Sequence, residues 1–324
     1  MLLISTSNGW NYGDDIIREG VLRLLKVPST WPTGWLNRCE TQRGAHQWEV
    51  QRNFSLDKVM PSVTAFMEAG TPGWGERLQE TYSAVSLGKV PAFIVGVAGT
   101  GPGARLRKLA PYIRAASARD SQALKMLRST GLEAKKFFDP ALHAGWNLRE
   151  KDLGILNYRA KGGNGKHTSE DDRVYKTLYL QHKELINCVT VHEVTELPFA
   201  RKLFPEVPIV FCADYIGFKH LYERCRLYIG GRIHGALSAV ANGGQAHLMY
   251  RAPKKSVVAD LETACRKNLG WSPIYLSGVT SKLKIEEPQF NRGHLKEFLE
   301  EDFRKHQEFA LRNGAPWLER TAIE

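Results

Sequence analysis

Tyr228-Ile-Gly-Gly-Arg-Ile-His-Gly-Ala-Leu-Ser-Ala-Val-Ala-Asn242 is the stretch from which the architecture can be read. An apolar run, Leu227 to Ile229, stops at two glycines, and an arginine, a histidine and a small-residue helix follow. This is a buried strand entering a tight turn and then a helix N-terminus. Such a turn exposes backbone N–H groups and the positive end of a helix dipole. Arg232 and His234 add a fixed cation and a titratable ring at the same mouth. The combination suits an anionic ligand and acid–base chemistry.

The same unit recurs outward from this point. Strands are expected at Leu2 to Thr6, Ser62 to Met67, Pro91 to Val97, Ile113 to Ala118 and Lys135 to Phe138. Between them, Asp14 to Lys26, Glu76 to Leu87 and Ser121 to Ser129 read as helices. A second alternation opens after Glu150, with strands at Leu153 to Asn157, Leu185 to Val191 and Pro208 to Ala213. Tyr158 to Asp172, rich in Gly and Lys, reads as a loop, and Arg173 to His182 as a helix. Leu295 to Phe309 is an amphipathic helix rich in Lys and Glu. Strand, loop and helix in repetition imply parallel sheets covered on both faces. The expected fold is α/β, with two Rossmann-like domains and a cleft between them. They are residues 1–150 on the acceptor side and 151–285 on the donor side, with helices in 286–324 packing back on the body.

Bulk properties narrow the partners. The 324 residues carry 45 Lys and Arg against 34 Asp and Glu, a net charge of +11. That favours phosphorylated or polyanionic ligands, and the basic surface fits peripheral contact with an anionic membrane face. The basic residues are dispersed, without a charged tail or interleaved aromatics, so nucleic acid is not expected. Five cysteines with no Cys-x-x-Cys pair argue for free thiols, a reducing compartment and a cytoplasmic location, and against zinc. His192, Glu193 and Glu196 lack metal-site spacing, so no metal is expected.

Four segments in order carry a family resemblance: Asn11-Tyr-Gly-Asp-Asp15, Ala118-Arg-Asp-Ser121, Asp139-Pro-Ala-Leu142 and Gly231-Arg-Ile-His-Gly-Ala236 with Tyr250 and Lys254 behind it. Together they resemble the polysaccharide pyruvyl transferase family, over residues 1 to about 258. The resemblance implies two Rossmann-like domains of the GT-B type. It implies transfer of a pyruvyl group from phosphoenolpyruvate to a sugar or glycan, free or lipid-linked, closing a cyclic ketal. Phosphoenolpyruvate is then a co-substrate, and no further cofactor is expected. His234 and Arg119 become the catalytic pair, and Arg119, Arg232 and Lys254 or Lys255 the donor-binding cations. Asn11, Gly13, Asp14, Gly70, Thr71 and Gly99, at strand ends and in glycine loops, become the acceptor or cleft residues.

Two other readings stay open. A GT-B glycosyltransferase using a nucleotide-sugar donor fits the two-domain layout equally well, since fold does not decide chemistry. A non-catalytic binder of anionic glycan or nucleic acid fits the charge, though the dispersed basic residues count against it.

Overall fold

The computed structural model describes residues 1–6, 12–37, 60–70, 90–99, 103–145, 150–159, 169–212, 214–249, 255–277, 282–283, 285, 291–316 and 318. Among the described residues two six-stranded, wholly parallel sheets form the frame. The N-terminal sheet holds β1 (Leu2–Thr6), β2 (Thr33–Asn37), β3 (Ala65–Ala69), β4 (Ala92–Val97), β5 (Ile113–Ala118) and β6 (Ala134–Lys136), in the order β2-β1-β3-β4-β5-β6. The C-terminal sheet holds β7 (Leu153–Asn157), β8 (Cys188–Thr190), β9 (Ile209–Val210), β10 (Cys225–Gly230), β11 (Gln245–Leu248) and β12 (Ile274–Leu276). Its order, β12-β11-β10-β7-β8-β9, is the 3-2-1-4-5-6 winding of a dinucleotide-binding fold. The architecture is therefore two Rossmann-like α/β domains of the GT-B type.

Continuous apolar runs such as Ala-Phe-Ile-Val-Gly-Val in β4 make strands buried on both faces, which parallel sheets require. Among the described residues the covering helices are α1 (Tyr12–Leu24), α2 (Gly103–Leu109), α3 (Ser121–Ser129), α4 (Ser169–Gln181), α5 (Leu197–Leu203), α6 (Tyr215–Glu223), α7 (Ile233–Ala241), α8 (Lys255–Leu269) and α9 (Arg292–Leu311). None is long and apolar enough to cross a membrane.

Some expectations shift. The loop read over Tyr158 to Asp172 ends early, because α4 begins at Ser169. Glu170, Asp171 and Asp172 fill its first turn, where acidic groups meet the positive end of the helix dipole. The strand read over Leu185 to Val191 shortens to Cys188–Thr190, with a 3₁₀ turn at Lys183–Leu185 before it. The helix read over Glu76 to Leu87 lies outside the described residues.

One buried cluster runs through both domains, from Leu2, Val95 and Ile17 to Leu237 and Tyr228. Its bridge is Tyr12, on the first turn of α1. The ring lies 5.3 to 5.9 Å, centroid to centroid, from Phe218, Tyr222, Tyr215 and His192 of the C-terminal domain. Its hydroxyl donates to Ser238 Oγ at 2.8 Å. Aromatic pairs at these separations add roughly 0.5–1.5 kcal/mol each beyond the area they bury. The ion pairs Lys219–Glu19 and Lys136–Asp260 also cross the junction, each partly exposed and so weak. Finally, α9 returns to the N-terminal domain. His306 lies 2.7 Å from Ser117 Oγ of β5 and stacks on Phe137, and His143 Nε2 sits 3.1 Å from Asp302 Oδ2.

Candidate active site at the interdomain junction

The winding of the C-terminal sheet reverses between β7 and β10, and ligands of such sheets bind outside the strand C-termini at that point. Gly230 ends β10 there. A Cβ on Gly230 would lie 2.6 Å from Asn157 Cβ, so the two central strands can meet only with glycine at this position. Arg232 then acts as N-cap of α7, with extended backbone and no side-chain cap bond. The turn is held from below. Tyr228 Oη lies 2.8 Å from the Arg232 carbonyl and 3.0 Å from Asn157 Oδ1. Gly235 is tight against the same ring: a Cβ there would sit 2.8 Å from Tyr228 Oη.

His234 is brought to Arg119, 115 residues away and on the other domain. Arg119 Nη1 lies 3.2 Å from His234 Nε2. The same Nη1 donates to Asp139 Oδ2, making a buried ion pair. Asp139 in turn caps its own 3₁₀ turn, Oδ1 accepting from the Ala141 N–H at 2.9 Å. Burial pushes the Asp139 acid toward its neutral form, but the Arg119 guanidinium works against burial and holds the carboxyl well below the usual range. The His234 side chain is 22% exposed, so the assembly has one face open to solvent.

The other sequence-predicted residues fall around this point. Arg232 is turned into the domain: its Nη2 reaches Glu193 Oε1 and Glu196 Oε1, both at 2.8 Å. Those carboxylates also close a capping box on the turn at Val194–Glu196. Among the described residues no group of three or more His, Cys, Asp or Glu side chains is arranged to hold a metal. His192 is buried, with Nε2 2.6 Å from Tyr222 Oη, and burial depresses its basicity well below the ordinary value.

Gly13 and Asp14 are buried in the first turn of α1. Gly70 follows β3 and Gly99 follows β4, but their N–H groups are used internally. Gly70 N–H donates to the Val95 carbonyl and Gly99 N–H to Asp120 Oδ2, both at 2.8 Å. Asn11, Thr71 and Lys254 lie outside the described residues. Lys255 begins α8, and nothing is described of its side chain. Asp139 is the residue that the site reading missed. It stood in a recognised segment, but its partner Arg119 is 20 residues away and His234 is 95, so no local pattern marks it.

No family model and no curated protein matches the chain. Solved structures do match its fold. A UDP co-structure of MnaA from S. aureus covers 99% of this chain and 94% of its own, at 9% identity and a TM-score of 0.53. UDP-GlcNAc 2-epimerase from Neisseria meningitidis, bound to UDP-GlcNAc, covers 99% and 98%, at 10% identity and a TM-score of 0.50. The Methanocaldococcus jannaschii UDP-GlcNAc 2-epimerase covers 92% and 98%, at 11% identity and a TM-score of 0.50. These likenesses establish the GT-B type of fold.

They overturn the pyruvyl transferase resemblance. The segments that carried it have structural work in this fold. Arg119-Asp120-Ser121 is a strand-to-helix turn whose Asp120 caps α3, Asp139-Pro-Ala-Leu142 is a capped 3₁₀ turn, and Tyr12 is the interdomain bridge.

Proposed function

We propose that this chain is a GT-B glycosyltransferase that uses a nucleotide-diphosphate sugar as donor. The carrying observation is the placement of the open α7 N-terminus and His234 at the β7/β10 reversal, facing Arg119 across the junction. The matched S. aureus and N. meningitidis structures contain UDP and UDP-GlcNAc, which supports a nucleotide-sugar ligand for this frame.

Glycosyl transfer breaks the bond between the anomeric carbon and the diphosphate oxygen and forms one to an acceptor hydroxyl. The diphosphate takes the electron pair of the broken bond, and the proton of the acceptor hydroxyl passes to the released diphosphate or to water. The developing negative charge needs preorganised donors. Backbone N–H groups of the first α7 turn and the helix dipole supply them, together with the imidazole of His234. In this reading Arg232 supports the turn through its paired, buried position.

Titration calorimetry and thermal unfolding with UDP, GDP and ADP test the reading. One nucleoside diphosphate raises the melting temperature, by about 2.7 kcal/mol of linkage at a hundredfold excess over Kd. The matching nucleotide sugar then loses its glycosyl group to an acceptor, followed by mass spectrometry. No stabilisation by any of the three, with no turnover of their sugars, sinks the proposal.

A further inference from the structure

We infer that Asp139 and Arg119 are positioning residues of the N-terminal domain that fix the tautomer of His234 on the C-terminal domain. They do so in such a way that His234 meets an anionic oxygen through Nδ1–H, as a hydrogen-bond donor.

The argument is one of proton counting. A guanidinium is always charged and carries only donors. Arg119 Nη1, 3.2 Å from His234 Nε2, can make a hydrogen bond there only if Nε2 is an acceptor. A neutral imidazole that accepts at one nitrogen carries its proton on the other, so Nδ1 holds the hydrogen. Nη1 has two hydrogens, and the second goes to Asp139 Oδ2. Asp139 is 1% exposed and anchored by the Ala141 N–H, so it fixes Arg119 in direction as well as in charge. Its own oxygen lies 3.8 Å from Nε2, beyond hydrogen-bond distance, so the shorter Arg119 contact sets the role of that nitrogen. Among the described residues nothing bonds Nδ1, and the ring keeps an exposed face. The end of His234 left for a ligand is therefore Nδ1–H, on a ring that is 22% exposed.

Two consequences follow. First, the tautomer is assembled from two domains and exists only while they are juxtaposed. Second, His234 acts toward the ligand as a donor and not as a base. The identity of the ligand oxygen, a phosphate oxygen of the donor, rests on the glycosyltransferase reading. The tautomer itself does not.

Long-range ¹H–¹⁵N correlation spectra of the uniformly ¹⁵N-labelled full chain read the tautomer directly. The His234 signals are assigned by their loss in His234→Gln. Wild type shows the Nδ1–H pattern without nucleotide, and an Nε2–H pattern overturns the inference whatever the protein binds. Arg119→Met alone strands a buried carboxylate, so the double variant Arg119→Met/Asp139→Leu removes the ion pair as a unit. Its His234 shifts to a mixture of tautomers, and an unchanged Nδ1–H pattern overturns the assignment to Arg119. On adding UDP to wild type, the Nδ1–H resonance moves. If UDP binds and it does not move, His234 is not aimed at the diphosphate. If UDP does not bind while the Nδ1–H pattern stands, the donor reading fails and the tautomer assignment survives. UDP binding to the double variant weakens about tenfold, the worth of one hydrogen bond to a charged group.

Discussion

Two strand-to-helix turns, one from each domain, meet at the contact of Arg119 with His234 and are built in opposite ways. At the end of β5, Asp120 caps α3: Oδ1 accepts from the Ala123 N–H and Oδ2 from the Gly99 N–H, both at 2.8 Å. The helix terminus is filled by the protein's own anion. At the end of β10, the cap position of α7 is an arginine that makes no cap bond, and its charge is spent on two carboxylates beneath the turn. One N-terminus is sealed by the protein's own carboxylate, and the other has no side-chain cap among the described residues. In the glycosyltransferase reading proposed above, the sealed turn supports and the uncapped turn binds.

The comparison can be broken most severely at Arg119, where the N-terminal turn reaches across to the C-terminal one. Arg119→Ala leaves Asp139 buried without its partner and costs about 3–5 kcal/mol, measured by denaturant unfolding. Because Asp139 has a lowered folded-state affinity for protons, its contribution is present above the ordinary carboxylate value of about 4 and fades as pH falls below it. The Arg119→Ala penalty shrinks in that acidic range, and a penalty that stays constant down to pH 3 contradicts the ion-pair account.

A second effect is shared by both domains. His192 and His306 are buried with depressed basicity, and His247 is pushed down to about 4, all three by burial. The unfolded chain takes up these protons first, near pH 6.5, so stability declines as pH drops from there toward the folded values. Each such group costs about 1.4 kcal/mol per pH unit in that window. Unfolding curves between pH 7 and 5 show the decline, and His306→Gln flattens it. An unchanged slope in that variant excludes His306 as a contributor.

Gly235→Ala sharpens the contrast on the open side. It drives a methyl into Tyr228 Oη, costing about 1–3 kcal/mol, and it displaces the α7 turn so that nucleotide stabilisation falls more than stability does. Equal losses in both would mean that the turn is only structural. On the sealed side, Asp120→Ala removes the cap of α3 for about 1 kcal/mol and leaves nucleotide binding as it was. A nucleotide response altered by Asp120→Ala would erase the distinction between the turns.

Much of this was legible in the residues. Leu2–Thr6, Ile113–Ala118, Ser121–Ser129 and Leu153–Asn157 have the bounds their apolar runs and caps suggest. The Gly-Gly-Arg-x-His turn falls between strand and helix as its pattern requires. The strands that escaped notice have physical reasons to. β2, Thr-Gly-Trp-Leu-Asn, lies at a sheet edge and contains glycine and asparagine, both poor strand formers. β11 buries Gln245 and His247, which meet through Gln245 Nε2 and His247 Nε2 at 2.8 Å, so polarity hides a core strand. The site was legible only in part. Arg119 and His234 were recognisable as chemistry-bearing residues, but their contact, and the carboxylates that occupy Arg119 and Arg232, depend on separations of 20 to 115 residues. Local pattern does not encode such pairs, and it made Arg232 look like a free cation when two glutamates hold it. The pyruvyl transferase resemblance failed in the same way. Its segments mark turns that this architecture needs, and turns alone do not select a reaction.

The return of α9 to the first domain sets an order on biosynthesis. Ser117, Phe137 and His143 belong to the half made first, yet they meet His306 and Asp302 only after the whole second half has left the ribosome. The second half forms a continuous block and can complete its sheet on emergence, whereas the first must wait with part of one surface uncovered. Until α9 has emerged, the strip that it covers on the earlier domain stays uncovered.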